Sequence, residues 1–204
     1  MSDDAVSKKI KDLLPNDLGE PKSHAELMKH KKLTENAFPH VRMRRLRQSP
    51  SIRGMVQENQ VTVNDLIYPI FVEENIYYPV PISSMPGVVR ETEKTLVTRM
   101  EEVAAAKIPA VMLFGVSHHK DHVGSDSMDP NGLLSRMIDI AKKTAPETTI
   151  IADLCFCEYT DHGHCGPINE RHDVDNDKTV EHIAMQAVIA AEAGADMVAP
   201  SGMM

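Results

Sequence analysis

Three sulfurs, Cys155, Cys157 and Cys165, stand within eleven residues, and the 204-residue chain holds no other cysteine. His162, His164, Gly163 and Gly166 are threaded through this C-x-C-x7-C spacing. An odd, clustered set does not build a disulfide framework and points to metal or redox chemistry. A C-x-x-C redox pair does not fit, because one residue alone separates the close cysteines. Side chains alternate along an extended chain, so Asp153, Cys155 and Cys157 project to one side if the extended run reaches that far. Glycine at 163 and 166 lets the backbone fold back and bring Cys165 to the other two. Three thiolates suit zinc at tetrahedral geometry. The fourth position is open to water, substrate or a histidine, with His162 and His164 the candidates in sequence. A closed structural Cys3His site competes with an open catalytic one. Asp153 beside such a site could orient a substrate amine or relay a proton, or could serve as an acceptor for neighbouring donors.

A second polar cluster runs from Phe114 to Asp121, FGVSHHKD. Its place just after an apolar run suits either a substrate-facing loop or an ordinary polar one. A catalytic lysine needs burial or a nearby cation to lower its pKa. Lys120 sits beside Asp121, which favours its charged form, and reads as a solvated loop charge.

Four short apolar runs must position these residues: Leu66–Val72, Ala110–Val116, Thr149–Leu154 and Met197–Ala199. Each is continuous, as expected for strands buried on both faces of a parallel sheet. Pro69 argues for a first strand starting near Ile70 or for one with an irregular beginning, since proline cannot donate to a ladder. Helical stripes lie between the runs: Leu96, Val97, Met100, Val103 and Ala104; then Leu133, Leu134, Met137, Ile138 and Ala141; then Val180, Ile183, Ala184, Ala187, Val188 and Ala191. Asp129 and Pro130 predict the start of the second helix and Pro146 its end; Gly194 closes the third. Ser49 and Pro50 give a further helix start.

Repeated βα units imply a parallel sheet. No G-x-G-x-x-G turn follows any strand, which weakens a dinucleotide-binding open sheet and favours a closed (β/α)8 barrel of TIM type. About four of its eight units are present. The expected organisation is an N-terminal arm at 1–48, with a helix around Ser23–Lys32, followed by the first half of a barrel at 49–204. The fourth strand ends the chain, so a truncated barrel with exposed strand edges and poor solubility is expected.

Residues 1–48 hold eleven basic against seven acidic residues, a net of +4, and the rest carries −12 of the total −8. Such an arm could dock on a neighbouring subunit or be a solvated tail. The basic run RMRRLR at 42–47 lacks the aromatic interleaving of a nucleic-acid module, so no nucleic-acid partner is expected. No eighteen-residue apolar run exists, so no membrane span is expected. The N-terminus has no apolar h-region, which places the chain in the cytoplasm.

The segment Asp153–Gly166, DLCFCEYTDHGHCG, resembles the zinc signature of the porphobilinogen synthase (5-aminolevulinate dehydratase) family. RMRRLR at 42–47, LIYPIFV at 66–72, FGVSHH at 114–119 and APS at 199–201 agree with it, in the family's order. The resemblance implies a (β/α)8 barrel whose N-terminal arm wraps a neighbouring subunit, usually in a homo-octamer. It implies condensation of two 5-aminolevulinate molecules to porphobilinogen with loss of two waters, a step of haem synthesis. It implies that Cys155, Cys157 and Cys165 hold a catalytic zinc and that Asp153 lies in the active site. His164 matches a position able to join a secondary metal site, and Mg2+ is allowed as an activator of the full-length protein. The family's Schiff-base lysines and carboxylate-gripping arginines fall past Met204, and Gly202 stands where the family usually has aspartate. The chain alone is therefore expected to be inactive. A zinc-binding fragment or subunit-interaction module is the rival reading. A zinc hydrolase is disfavoured, because such sites rely on histidine and carboxylate ligands.

Overall fold

A computed structural model of the chain describes residues 43–204, in two compact units that divide between Gln60 and Val61. The expected helix around Ser23–Lys32 and most of the arm lie outside the described residues. In the first unit, α1 (Pro50–Met55) starts as the sequence predicts: the Ser49 hydroxyl accepts from the Ile52 N–H at 3.2 Å, and Pro50 fills the first helical position.

The second unit is built on a six-stranded sheet. Its strands are β1 (Ile67–Glu73), β2 (Val80–Pro81), β3 (Val89–Glu91), β4 (Ala110–Val116), β5 (Thr149–Leu154) and β6 (Met197–Pro200), in the spatial order β2-β3-β1-β4-β5-β6. From β1 through β6 every pairing along β1-β4-β5-β6 is parallel. The connecting helices are α2 (Glu93–Ala105), α3 (Leu133–Thr144) and α4 (Asn176–Glu192).

These helices cover one face of the sheet. Ile70, Val72, Val111, Leu113, Ile150, Ala152 and Leu154 join Leu96, Met100, Leu133, Met137, Ile138 and Ala190 in one buried cluster. Alternate strand residues face the other way, where Phe71 and Phe114 are directly paired in register and their rings stack at 4.9 Å. From β1 onward, β4, β5 and β6 are added in chain order with all three helices on one face, while the short β2–β3 hairpin lies on the other flank of β1. That separates the sheet from the doubly wound type and matches successive staves of a (β/α)8 barrel.

The local departures from the sequence reading have physical causes. Pro69 does lie within β1, paired with Met112. It is tolerated because β3 meets β1 at Phe71 and Val72 alone, leaving one flank of β1 unpaired at Pro69. The β2–β3 hairpin has no counterpart among the four apolar runs; its short strands sit among Pro79, Pro81, Pro86 and Gly87, residue types that favour turns. Helix α3 starts at Leu133, later than Asp129 and Pro130 suggested, and Asp129 instead accepts the Asn131 N–H at 2.8 Å in a preceding turn. On α2, Val97 and Ala104 are exposed while Leu96, Met100 and Val103 are buried. On α4 the buried face is Thr179, Gln186 and Ala190; Val180 and Val188 of the expected stripe are exposed. Gly194 closes α4 at φ 105°, a backbone conformation that favours glycine.

Candidate metal centre

Strand β5 delivers the site. Ile150, Ala152 and Leu154 point into the helix-covered core, so Asp153 and, beyond the strand end, Cys155 take the opposite side. The chain then turns: the Tyr159 and Thr160 N–H groups both donate to the Phe156 carbonyl, at 2.9 and 2.8 Å. Phe156 is fully buried and anchors the turn. Gly163, at φ 72°, reverses the chain again and returns Cys165.

The three sulfurs converge. The ligand atoms of Cys155, Cys157 and Cys165 lie within 4.8 Å of one another, with Cys157 Sγ and Cys165 Sγ 3.0 Å apart. All three are free thiols and half-buried. Burial, then the neighbouring thiols, push Cys157 well above the ordinary thiol range. Burial also raises Cys155, and the nearby Glu158 adds to it. Cys155 and Cys157 therefore resist ionisation unless a cation compensates them, and soft thiolates select a soft divalent ion. Two thiolates on a tetrahedral ion at ~2.3 Å lie about 3.8 Å apart. Cys157 and Cys165 need spread by less than about 1 Å to reach that spacing.

A carboxylate pair adjoins the sulfurs. Asp153, Cys155 and Glu158 form a second group whose ligand atoms lie within 4.8 Å. Burial pushes Asp153 up to about 6; Glu158 adds to the rise and a Ser201 hydrogen bond opposes it. Ser201 also reaches the Cys155 thiol. Glu158 Oε2 and the Tyr159 hydroxyl are buried without a hydrogen-bond partner. Sequence reasoning missed Glu158 as part of this group. It also missed the contact of Ser201, whose position just after the neighbouring strand β6 was the available signal.

His164 stands apart from the sulfurs. It is exposed, belongs to neither ligand group, and its ring lies 5.4 Å from that of His162. Its N–H donates to His162 Nδ1 at 3.1 Å, and its carbonyl accepts from the Thr160 hydroxyl at 2.9 Å.

The loop after β4 buttresses the cysteine loop. Asp121 and Thr160 form a parallel bridge that prolongs the β4–β5 pairing. Within the same loop, His118 Nε2 lies 3.0 Å from Glu73 and His119 Nδ1 3.1 Å from Glu74. These histidines are tied to the end of β1, and Lys120 is exposed.

Comparison with known proteins gives a consistent picture. The family model for delta-aminolevulinic acid dehydratase matches residues 40–204. Delta-aminolevulinic acid dehydratase of Escherichia coli is 52% identical over 163 residues, covering 80% of this chain and 50% of the relative. The Staphylococcus aureus enzyme of that name is 46% identical over 164 residues, covering 80% and 51%. Among solved structures, delta-aminolevulinic acid dehydratase (porphobilinogen synthase) of Toxoplasma gondii, in complex with its reaction product porphobilinogen, is similar with a TM-score of 0.75 and 39% identity. That match covers 80% of this chain and 47% of the solved one. The chain thus spans about half the length of the relatives it matches.

Proposed function

Because the chain belongs to the delta-aminolevulinic acid dehydratase family, we propose that it carries the metal centre of a porphobilinogen synthase, a lyase condensing two 5-aminolevulinate molecules to porphobilinogen with loss of two waters. The convergence of three thiols beside Asp153, at the carboxyl end of a parallel strand, carries this reading. In a (β/α)8 enzyme that end is where the active site is built. Cys155, Cys157 and Cys165 would hold zinc, which three sulfurs and an open fourth position suit. When bound, zinc supplies Lewis-acid polarisation of a substrate oxygen.

The chain's own residues supply the surroundings. Asp153 lies next to the sulfurs, and the nearby Ser201 favours its ionised form. Asp153 is placed to hold a substrate amine or accept its proton. His164 and His162 lie outside the sulfur group and are available to a secondary metal site, with Mg2+ as a further activator. Among the described residues no lysine is buried; Lys120 is exposed and Lys142 is engaged by Asp196 at 2.8 Å. None of them has the environment that a Schiff-base lysine needs. The reading extends to a cytoplasmic homo-octamer, in keeping with a described chain in which no helix is long and apolar enough to cross a membrane.

Zinc stoichiometry tests the site. The wild-type chain is expected to bind one zinc and Cys157→Ser close to none. Supplied with zinc and 5-aminolevulinate, residues 1–204 alone are expected to form no porphobilinogen. Full zinc retention by Cys157→Ser would overturn the assignment of the sulfurs.

A further inference from the structure

Helix α4 buries two polar side chains beside its apolar contacts with the core, and exposes part of its aliphatic surface. Thr179 and Gln186 have no exposed surface, whereas Val180 is 47% and Val188 56% exposed. Burying an amide and a hydroxyl is costly unless their hydrogen bonds are used. Both side chains meet the cysteine loop.

Gln186 Nε2 donates to the Cys155 carbonyl at 3.1 Å, across 31 residues of sequence. Two turns earlier, Thr179 packs against Gly166, the residue after Cys165. A Cβ at Gly166 would lie 2.0 Å from Thr179 Oγ1 and 2.6 Å from its Cγ2. The Thr179 hydroxyl itself donates to the Asp175 carbonyl at 2.6 Å, and the Asp175 N–H donates to the Pro167 carbonyl at 2.8 Å. Between these two anchors the His182 ring stands edge-on to Phe156, at 6.1 Å. One helix face therefore touches the loop at its first cysteine, at the residue after it, and just beyond its third cysteine. The anchors are seven residues apart on one helix, a rigid span of ~10 Å.

We propose that Gln186 and Thr179 are positioning residues of the metal centre: α4 fixes the distance between Cys155 and Cys165 and thereby sets how tightly the sulfurs grip a cation. The proposal rests on the reading of the three cysteines as metal ligands. Gln186 holds the peptide from which Cys155 hangs. Thr179, against a residue with no side chain, holds the return of the chain at Cys165. Groups that orient ligands without touching the metal typically contribute 10–100-fold in metal affinity.

Co2+ serves as the probe, since its sulfur-to-metal charge-transfer and d–d bands report ligand number and geometry, with Zn2+ affinity read by chelator competition. Gln186→Met keeps the volume and removes the donor; it is expected to weaken Zn2+ binding about 10–100-fold and to alter the d–d bands. Gly166→Ala is expected to do the same, and adding Thr179→Gly, which clears the space, to restore part of the affinity. Ala190→Gly, on the same helix face without a tie to the loop, is expected to lower Tm while leaving the Co2+ spectrum unchanged. Wild-type spectrum and affinity in Gln186→Met, whatever its Tm, would overturn the proposal. Absence of sulfur charge transfer in the wild type would instead overturn the metal reading, and this inference with it.

Discussion

Two polar clusters sit at the carboxyl ends of β1 and β5, strands of one sheet with β4 between them, and they are finished in opposite ways. At the end of β1, Glu74 is buried and surrounded by donors: the His118 N–H at 3.0 Å, the Ser117 hydroxyl at 3.3 Å, Arg136 at 2.7 Å and His119 at 3.1 Å. Glu73 beside it meets His118 and Arg90. The two atoms there without a hydrogen-bond partner, Glu73 Oε2 and Arg90 Nε, belong to one ion pair. At the end of β5 the Cys155 and Cys157 thiols and Asp153 are shifted toward their neutral forms. Glu158 Oε2, Tyr159 Oη, His182 Nδ1 and Gln186 Oε1, on or behind the cysteine loop, have no protein partner. The first cluster has its charges satisfied by the chain itself and reads as a clamp. The second gathers polar atoms that the chain leaves unpaired, as expected of a site built for something else.

If the comparison holds, the clamp governs stability and the cysteine loop governs binding. The largest expected effect is on the clamp. Arg136→Met removes the cation shared by Glu74 and Glu93 and strands a buried carboxylate. Breaking a buried pair costs ~3–5 kcal/mol, and partial exposure of Arg136 puts the loss at the lower end, about 3 kcal/mol. Urea unfolding should show that loss while Zn2+ stoichiometry stays at the wild-type value. A midpoint within experimental error of wild type would erase the distinction between the two clusters.

A smaller effect, of opposite sign, is expected at the orphaned hydroxyl. Tyr159 is buried, its oxygen has no partner, and that oxygen fills the space over Gly115, where a Cβ would come within 2.3 Å. Tyr159→Phe removes a polar atom that makes no hydrogen bond. The change should be neutral or stabilising, by up to about 1 kcal/mol. A loss beyond about 1 kcal/mol on thermal or urea unfolding would mean that the hydroxyl is satisfied after all and that the β5 cluster resembles the clamp.

The sequence carried the parts of this picture that depend on local pattern. The runs Ala110–Val116 and Thr149–Leu154 are strands with those same ends, because unbroken apolar residues there have no other way to be buried. The spacing of the cysteines with Gly163 and Gly166 made their convergence legible. What was not legible depends on partners distant in sequence. The buried face of α4 carries Thr179 and Gln186 because it packs on a polar loop; periodicity, which follows aliphatic residues, found Ile183 and Ala187, which pack on the core, but also selected Val180 and Val188, which are exposed. Pro69 reads as a strand breaker until the short β3 is known to leave one flank of β1 free. Glu74 looks like one more surface acid beside Glu73 until His118 and Arg136, 44 and 62 residues away, are seen to close on it.

The smallest expected effect separates the clusters by pH. Burial raises the Glu74 pKa, but the His118 N–H, the Arg136 hydrogen bond and the charges of His119 and Arg136 outweigh it. The net position is below the ordinary value of 4.5. A carboxyl whose folded pKa lies below its unfolded value binds fewer protons when folded, so folding gains from its ionisation. That stabilisation is fully present above pH 4.5 and disappears as pH falls through the folded pKa. Asp121 and Asp196 are also held low, so acid unfolding of the wild type sums several groups. The difference between wild type and Glu74→Gln isolates one. Glu74→Gln should be less stable at neutral pH, and the gap should close as pH falls below the ordinary Glu pKa of about 4.3. A gap that stays constant to pH 3 would mean that Glu74 is held by packing rather than by its charge, and the clamp would no longer be electrostatic.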